Sequence, residues 1–290
     1  MMAQLVPIPI AAASTWLQLD LLHADFMRQA LLGLLIIAPL TAAMGVITVH
    51  FRMSFFADAV SHSAFAGIGL GLLFSVSPHW TMPLFGVLVG VGIMVLQRRS
   101  RLSSDAAIGV VFSGVVAFGL AMVSRHAHVA RDLQKFLYGD ILTITPDGIR
   151  GLILLALVVL PYLAWSYNRL LYIGLNPPMA AAHRVSVAAY QYSFSAMLAL
   201  VIMISIWAVG VLLVTALLIV PAAAARNLAR SAGSMLGWAV VVGLLSAAMG
   251  LILSAQPWAN TATGPTIILV ACALFLCSQC VQSRAAKRTA

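Results

Sequence analysis

"FFADAVSHSAFAGIGLGLLF", residues 55–74, has the apolar density of a membrane-spanning helix, yet carries an aspartate and a histidine four positions apart. On a helix, Asp58 and His62 fall on one face, one turn apart, close enough to share a ligand. An ionised aspartate at the centre of a lone spanning helix costs about 2.5–3.5 kcal/mol, so such residues face a partner or a polar path. Carboxylate oxygen plus imidazole nitrogen suits zinc, and also manganese or ferrous iron. A structural alternative places Asp58 in the interfacial first turn, favoured by the helix dipole, with His62 as its hydrogen-bond partner. The residues alone leave both readings open.

The surrounding composition identifies the solvent. Of 290 residues, 62% are hydrophobic and 8% charged, and the mean hydropathy is +1.05. Soluble domains carry about 25% charged residues, so this chain belongs in a bilayer. Apolar windows long enough to span recur near 29–49, 57–76, 80–97, 106–124, 150–167, 192–208, 210–225, 235–254 and 265–282. The expected fold is an all-α polytopic membrane protein with eight or nine spans. It forms one transmembrane domain over 1–290, embedded over about residues 28–283. The break near Val209–Gly210 decides between the two counts.

The net charge of +9 does not point to nucleic acid, because the basic residues sit in short clusters between apolar runs. With "QRRSR" (97–101) in the cytoplasm, eleven of the sixteen Lys and Arg lie on that side: Arg52, Arg98, Arg99, Arg101, Arg169, Arg184, Arg226, Arg230, Arg284, Lys287 and Arg288. The amino terminus is then outside and the carboxyl terminus inside. Trp80 and Trp258 fall at the outer interface, and Trp165, Tyr167 and Tyr172 near the inner one. The first fifteen residues lack a basic stretch, so no cleavable signal peptide is expected. The acidic residues are seven aspartates with no glutamate, which excludes an H-E-x-x-H metalloenzyme. Neither lysine, Lys135 or Lys287, follows G-x-x-x-x-G, so the chain has no phosphate-cradling ATP loop. Cys277 and Cys280 form a C-x-x-C inside an apolar run and are assigned to packing, as is Cys272. His126 and His128, at i and i+2, are read as solvated loop residues, and His23, His50 and His79 carry no functional assignment.

Two ligands cannot complete a metal shell. In a two-fold dimer whose axis runs beside this helix, Asp58 and His62 from each copy supply four. Gly67 and Gly71 form a G-x-x-x-G that permits close helix contact and places the pair near a packed seam.

Several stretches together resemble the membrane permeases of ABC-type zinc and manganese uptake systems. "DAVSHSAFAGIGLG" (58–71) is similar to that family's Asp-x-x-Ser-His segment. "SSDAAIGVVFSG" (103–114), "DLQKFLYGDIL" (132–142), "VGVLLVTALLIVPAAAARNLA" (209–229) and "TATGPTIILV" (261–270) follow in the family's order. The chain departs at Ala57, where Gly is common, at Asn260, where Asp is common, and near Arg184, where Gly is common. The resemblance implies a type II-like importer permease in the bacterial inner membrane. Such a permease dimerises, takes zinc or manganese from an extracytoplasmic binding protein and is driven by two separate ATPase subunits. The ion is transported, not held as a cofactor. It binds transiently at Asp58 and His62, and the permease itself is not an enzyme. The cytoplasmic segment 176–190 resembles the family's coupling helix. Asn176 is its N-cap, Pro177 and Pro178 its first turn, and Met179, Ala180, His183 and Arg184 its ATPase-facing candidates. The alternatives are an ABC permease for iron or for a chelate such as cobalamin or a siderophore, and an ATP-independent channel or secondary carrier.

Overall fold

The computed structural model describes residues 24–100, 102–124, 141–259 and 261–289. The helices in chain order are α1 (Asp25–His50), α2 (Phe56–Leu73), α3 (Pro78–Arg99) and α4 (Ser104–Val123). After a 3-10 turn (Ile141–Thr143) come α5 (Pro146–Leu175), α6 (Pro177–Ala182), α7 (Val187–Val209), α8 (Val211–Leu228), α9 (Ala232–Ser254) and α10 (Thr263–Thr289). The described residues contain no strand, as expected where every backbone polar group must be satisfied within its own helix. Eight of these helices are long and apolar enough to cross a membrane. The 18-residue α2 runs alongside them.

Local sequence explains the helix ends. Ser103 Oγ accepts from Ala106 N at the start of α4, and Thr145 Oγ1 from Gly148 N at the start of α5. Ser231 and Ser234 form a reciprocal capping box on α9. The break expected near Val209–Gly210 is real. Gly210 alone separates α7 from α8, with φ 83° and ψ 166°, a backbone conformation that a Cβ would strain.

The core lies where α1 packs against α8, α9 and α5, while α8 is also flanked by α9 and α10. Over its most apolar 18 residues α1 is 72% buried, whereas α4 is only 17% buried. That difference leaves α4 with a broad face free of its own chain. The central contact depends on a missing side chain: a Cβ at Gly45 would stand 1.8 Å from the Leu218 carbonyl oxygen of α8. Small residues let helix backbones approach in this way.

The short helix α6 occupies Pro177–Ala182, narrower than the 176–190 segment read from sequence, because Val187 already begins α7. Asn176 Oδ1 caps it by accepting from Met179 N at 3.1 Å, and the prolines stand at its first positions, where no amide partner is lost. The helix stops at His183, and Arg184 follows in the left-handed region at φ 60°. A glycine is the ordinary occupant of that conformation, which gives the departure near Arg184 a physical meaning.

Two stability outcomes follow for the detergent-solubilised protein. Gly45→Ala should cost about 3 kcal/mol or more through overpacking, whereas Gly92→Ala, where an added Cβ meets nothing within 4 Å, should be neutral or stabilise by up to about 1 kcal/mol. Thermal unfolding of the two variants side by side checks this. Arg184→Gly should raise the melting temperature slightly, because relieving a non-glycine αL residue is worth about 1 kcal/mol; a lower melting temperature would contradict the strain.

Candidate metal-transport site

Asp58 lies in the first turn of α2 and His62 one turn on, both half-buried. The His62 Nδ1 lies 2.9 Å from the Asp58 backbone oxygen. A carbonyl can only accept, so Nδ1 carries the proton and Nε2 keeps its lone pair. Metal-binding imidazoles are oriented by this kind of bond through the other ring nitrogen. Phe65 and Phe112 meet the ring edge-on, at centroid distances of 5.8 and 5.3 Å, and restrict its rotation. The Asp58 carboxylate makes no hydrogen bond or ion pair with the described residues. The structural alternative, in which His62 is the partner of that carboxylate, is therefore not what the geometry holds: the ring bonds to the backbone.

These groups open on a cavity of about 460 Å³ between α2 and α4. It is lined by Phe55 just before α2, by Asp58 and His62 of α2, and by Asp105, Ile108, Gly109 and Phe112 of α4. The two helices run in the same direction, since His62 meets Phe112 while Ala66 and Gly69 lie beside Gly119 and Met122. They converge at that far end, where a Cβ on Gly119 would come within 3.1 Å of the Ala66 amide. They diverge at their amino-terminal ends, and the cavity fills the space between.

Gly67 and Gly71 form a different seam. A Cβ at Gly67 would lie 2.9 Å from Met82 Cα, and one at Gly71 2.6 Å from Thr81 Oγ1. The G-x-x-x-G therefore packs α2 on α3 within the chain, about 140° (Gly67) to about 180° (Gly71) around the helix from His62 at about 100° per residue.

No group of three His, Cys, Asp or Glu side chains able to hold a metal occurs among the described residues. One chain thus offers an incomplete shell. Asp105 is the residue the sequence reading passed over. It stands within "SSDAAIGVVFSG", and its only sequence signal is a carboxylate opening an apolar helix; its place in the cavity with Asp58 and His62 is a tertiary fact. The remaining candidates are dispersed. Cys272, Cys277 and Cys280 are free and exposed. His50 Nδ1 donates to the Val46 carbonyl at 2.7 Å, and His79 stacks on Trp207 at 4.1 Å. His23, His126, His128 and Asn260 lie outside the described residues.

At the 176–184 segment, Asn176, Pro177 and Pro178 build the turn, Ala180 is buried and Met179 is 51% exposed. His183 Nδ1 lies 2.9 Å from the Met179 carbonyl and 3.0 Å from the Tyr172 hydroxyl. The segment is therefore a rigid, capped knob with Met179 at its surface and Arg184 beside it.

Comparison with known proteins gives this arrangement a context. The model of the ABC 3 transport family matches residues 23–282. The high-affinity zinc uptake system membrane protein ZnuB of Haemophilus influenzae is 32% identical over 254 residues, covering 88% of this chain and 97% of that protein. The manganese transport system membrane protein MntC of Listeria monocytogenes is 30% identical, covering 88% and 90%. Among solved structures, PsaBC from Streptococcus pneumoniae in complex with Fab superposes with a TM-score of 0.77 at 27% identity, over 89% of this chain and 93% of that one. The inward-facing conformation of a putative metal-chelate type ABC transporter matches with a TM-score of 0.71 at 17% identity, over 94% of this chain and 90% of that one, and speaks to fold alone. With eight apolar spans among the described residues and a family match over most of its length, this multi-pass membrane protein belongs to the ABC 3 transport family.

Proposed function

We propose that this chain is the permease subunit of an ATP-driven importer that carries a divalent transition metal, zinc or manganese, into the cytoplasm. The observation that carries the reading is the Asp58–His62 pair: an uncommitted carboxylate and an imidazole with its Nε2 lone pair free, on one wall of a largely apolar cavity. The names of the relatives support the choice of cargo. A chelated ion would need no protein ligand, so these two groups favour a bare cation over a chelate.

A second copy of the chain completes the site, each protomer giving one oxygen and one nitrogen. Mixed oxygen and nitrogen ligation of this kind accepts zinc or manganese, and a transport site must release what it binds. In this reading the amino terminus faces outward and the carboxyl terminus inward, the orientation that the distribution of Lys and Arg favours. A binding protein delivers metal to the outer face. ATP hydrolysis belongs to partner subunits, because the chain has no phosphate-binding loop. Their motion enters through α6, whose cap at Asn176 and exposed Met179 make a short rigid element suited to a groove on the ATPase.

Asp58→Ala and His62→Ala should each lower metal uptake at least about tenfold in vesicles containing the permease with its ATPase, while the assembled complex still forms. Uptake at the wild-type rate in both variants would remove the site assignment.

A further inference from the structure

Asp105 is the second residue of α4, and the cap of that helix is already supplied. Ser103 Oγ accepts from Ala106 N at 3.3 Å, so the Asp105 carboxylate is not needed to satisfy the first amides. It is exposed and forms no ion pair with the described residues. Arg98, at the end of the preceding helix, is turned the other way: it donates to Gln191 Oε1 at 2.7 Å and lies over the Tyr192 ring. What Asp105 does share is the cavity of Asp58 and His62.

The register of the two helices orders these groups along the cavity. Because α2 and α4 run parallel and converge at their carboxyl-terminal ends, the open end lies at their amino termini. Asp58 and Asp105 stand in the first turns there, and His62 lies a turn deeper, against Phe112. Among the described residues the three side chains do not form one ligand group, so within a protomer Asp105 is not a third member of the pair's shell. Two helix amino termini also place partial positive charge at this end. That charge weakens the grip on a cation, which suits a point of departure. The same end carries Arg98 and Arg99, which marks it as cytoplasmic by the basic-residue distribution.

We infer that Asp105 is the release-side ligand of the transport path, taking the divalent cation from the Asp58–His62 pair and passing it to water at the cytoplasmic mouth. This rests on the transport reading above. The movement is a ligand exchange: a bond to Asp105 oxygen or its bound water forms as those to His62 nitrogen and Asp58 oxygen break, with no change of oxidation state.

The test compares equilibrium binding with turnover. Asp105→Asn, Asp105→Glu and His62→Ala are each purified and titrated with manganese or zinc, then reconstituted with the ATPase for uptake at saturating metal. Asp105→Asn should bind within about threefold of wild type but transport about tenfold more slowly, with Asp105→Glu recovering much of the rate. His62→Ala should lose binding itself. Wild-type maximal uptake in Asp105→Asn overturns the inference while leaving the site intact. So does loss of binding as severe as that of His62→Ala, because Asp105 would then belong to the primary shell. Normal binding and uptake in His62→Ala removes the transport reading and, with it, the role given to Asp105.

Discussion

The bond from His62 Nδ1 to the Asp58 carbonyl, 2.9 Å long, ties the histidine to the backbone of its own helix and so frees two other groups. Nε2 retains its lone pair, and the Asp58 carboxylate is left without a neutralising partner among the described residues. In lipid such a carboxylate is costly unless a counter-charge arrives. The site is thus a half-built ligand shell whose missing part comes from outside the chain, as a cation and a second protomer in the proposed assembly. If the imidazole bonded to the carboxylate instead, each group would satisfy the other and little would remain to hold an ion.

The fold places this pair by controlling where helices touch and where they part. Close approach is concentrated away from the site: Gly45 on α8, Gly67 and Gly71 on α3, and Gly119 against α2. Toward the amino-terminal ends of α2 and α4 the backbones diverge, and Phe55, just before α2, and Phe112, two turns into α4, stand at the cavity wall. Packing that is tight at one end and open at the other yields a cavity with a defined mouth. The thin internal burial of α4 leaves its outer face available beside that cavity.

Much of this could be read along the chain, because membrane helices are specified by local apolar length and by Gly, Pro and Ser at their ends. The spans agree within a few residues, apart from a longer α5 and a longer α10, and the single-residue break at Gly210 lies where the sequence placed it. The Asp58–His62 pairing was equally accessible, since a four-residue spacing is a property of one helix. What escaped is tertiary. The G-x-x-x-G was read as placing the pair near a packed seam, whereas the structure packs it on α3, on a different face from the pair. Asp105 sits forty-seven positions beyond Asp58 in sequence numbering, and no local period joins them. The coupling segment was read as longer than α6, because small residues continue through a turn whose left-handed Arg184 has no sequence signature.

The central claim, that an oxygen and a nitrogen from each of two chains hold one ion, is tested most directly by X-ray absorption at the zinc edge together with metal stoichiometry on the purified, zinc-loaded permease. The account predicts one zinc per two chains, with only nitrogen and oxygen neighbours at about 2.0–2.2 Å and the outer-shell scattering of imidazole. Sulfur neighbours at about 2.3 Å, or one zinc per chain, would contradict it.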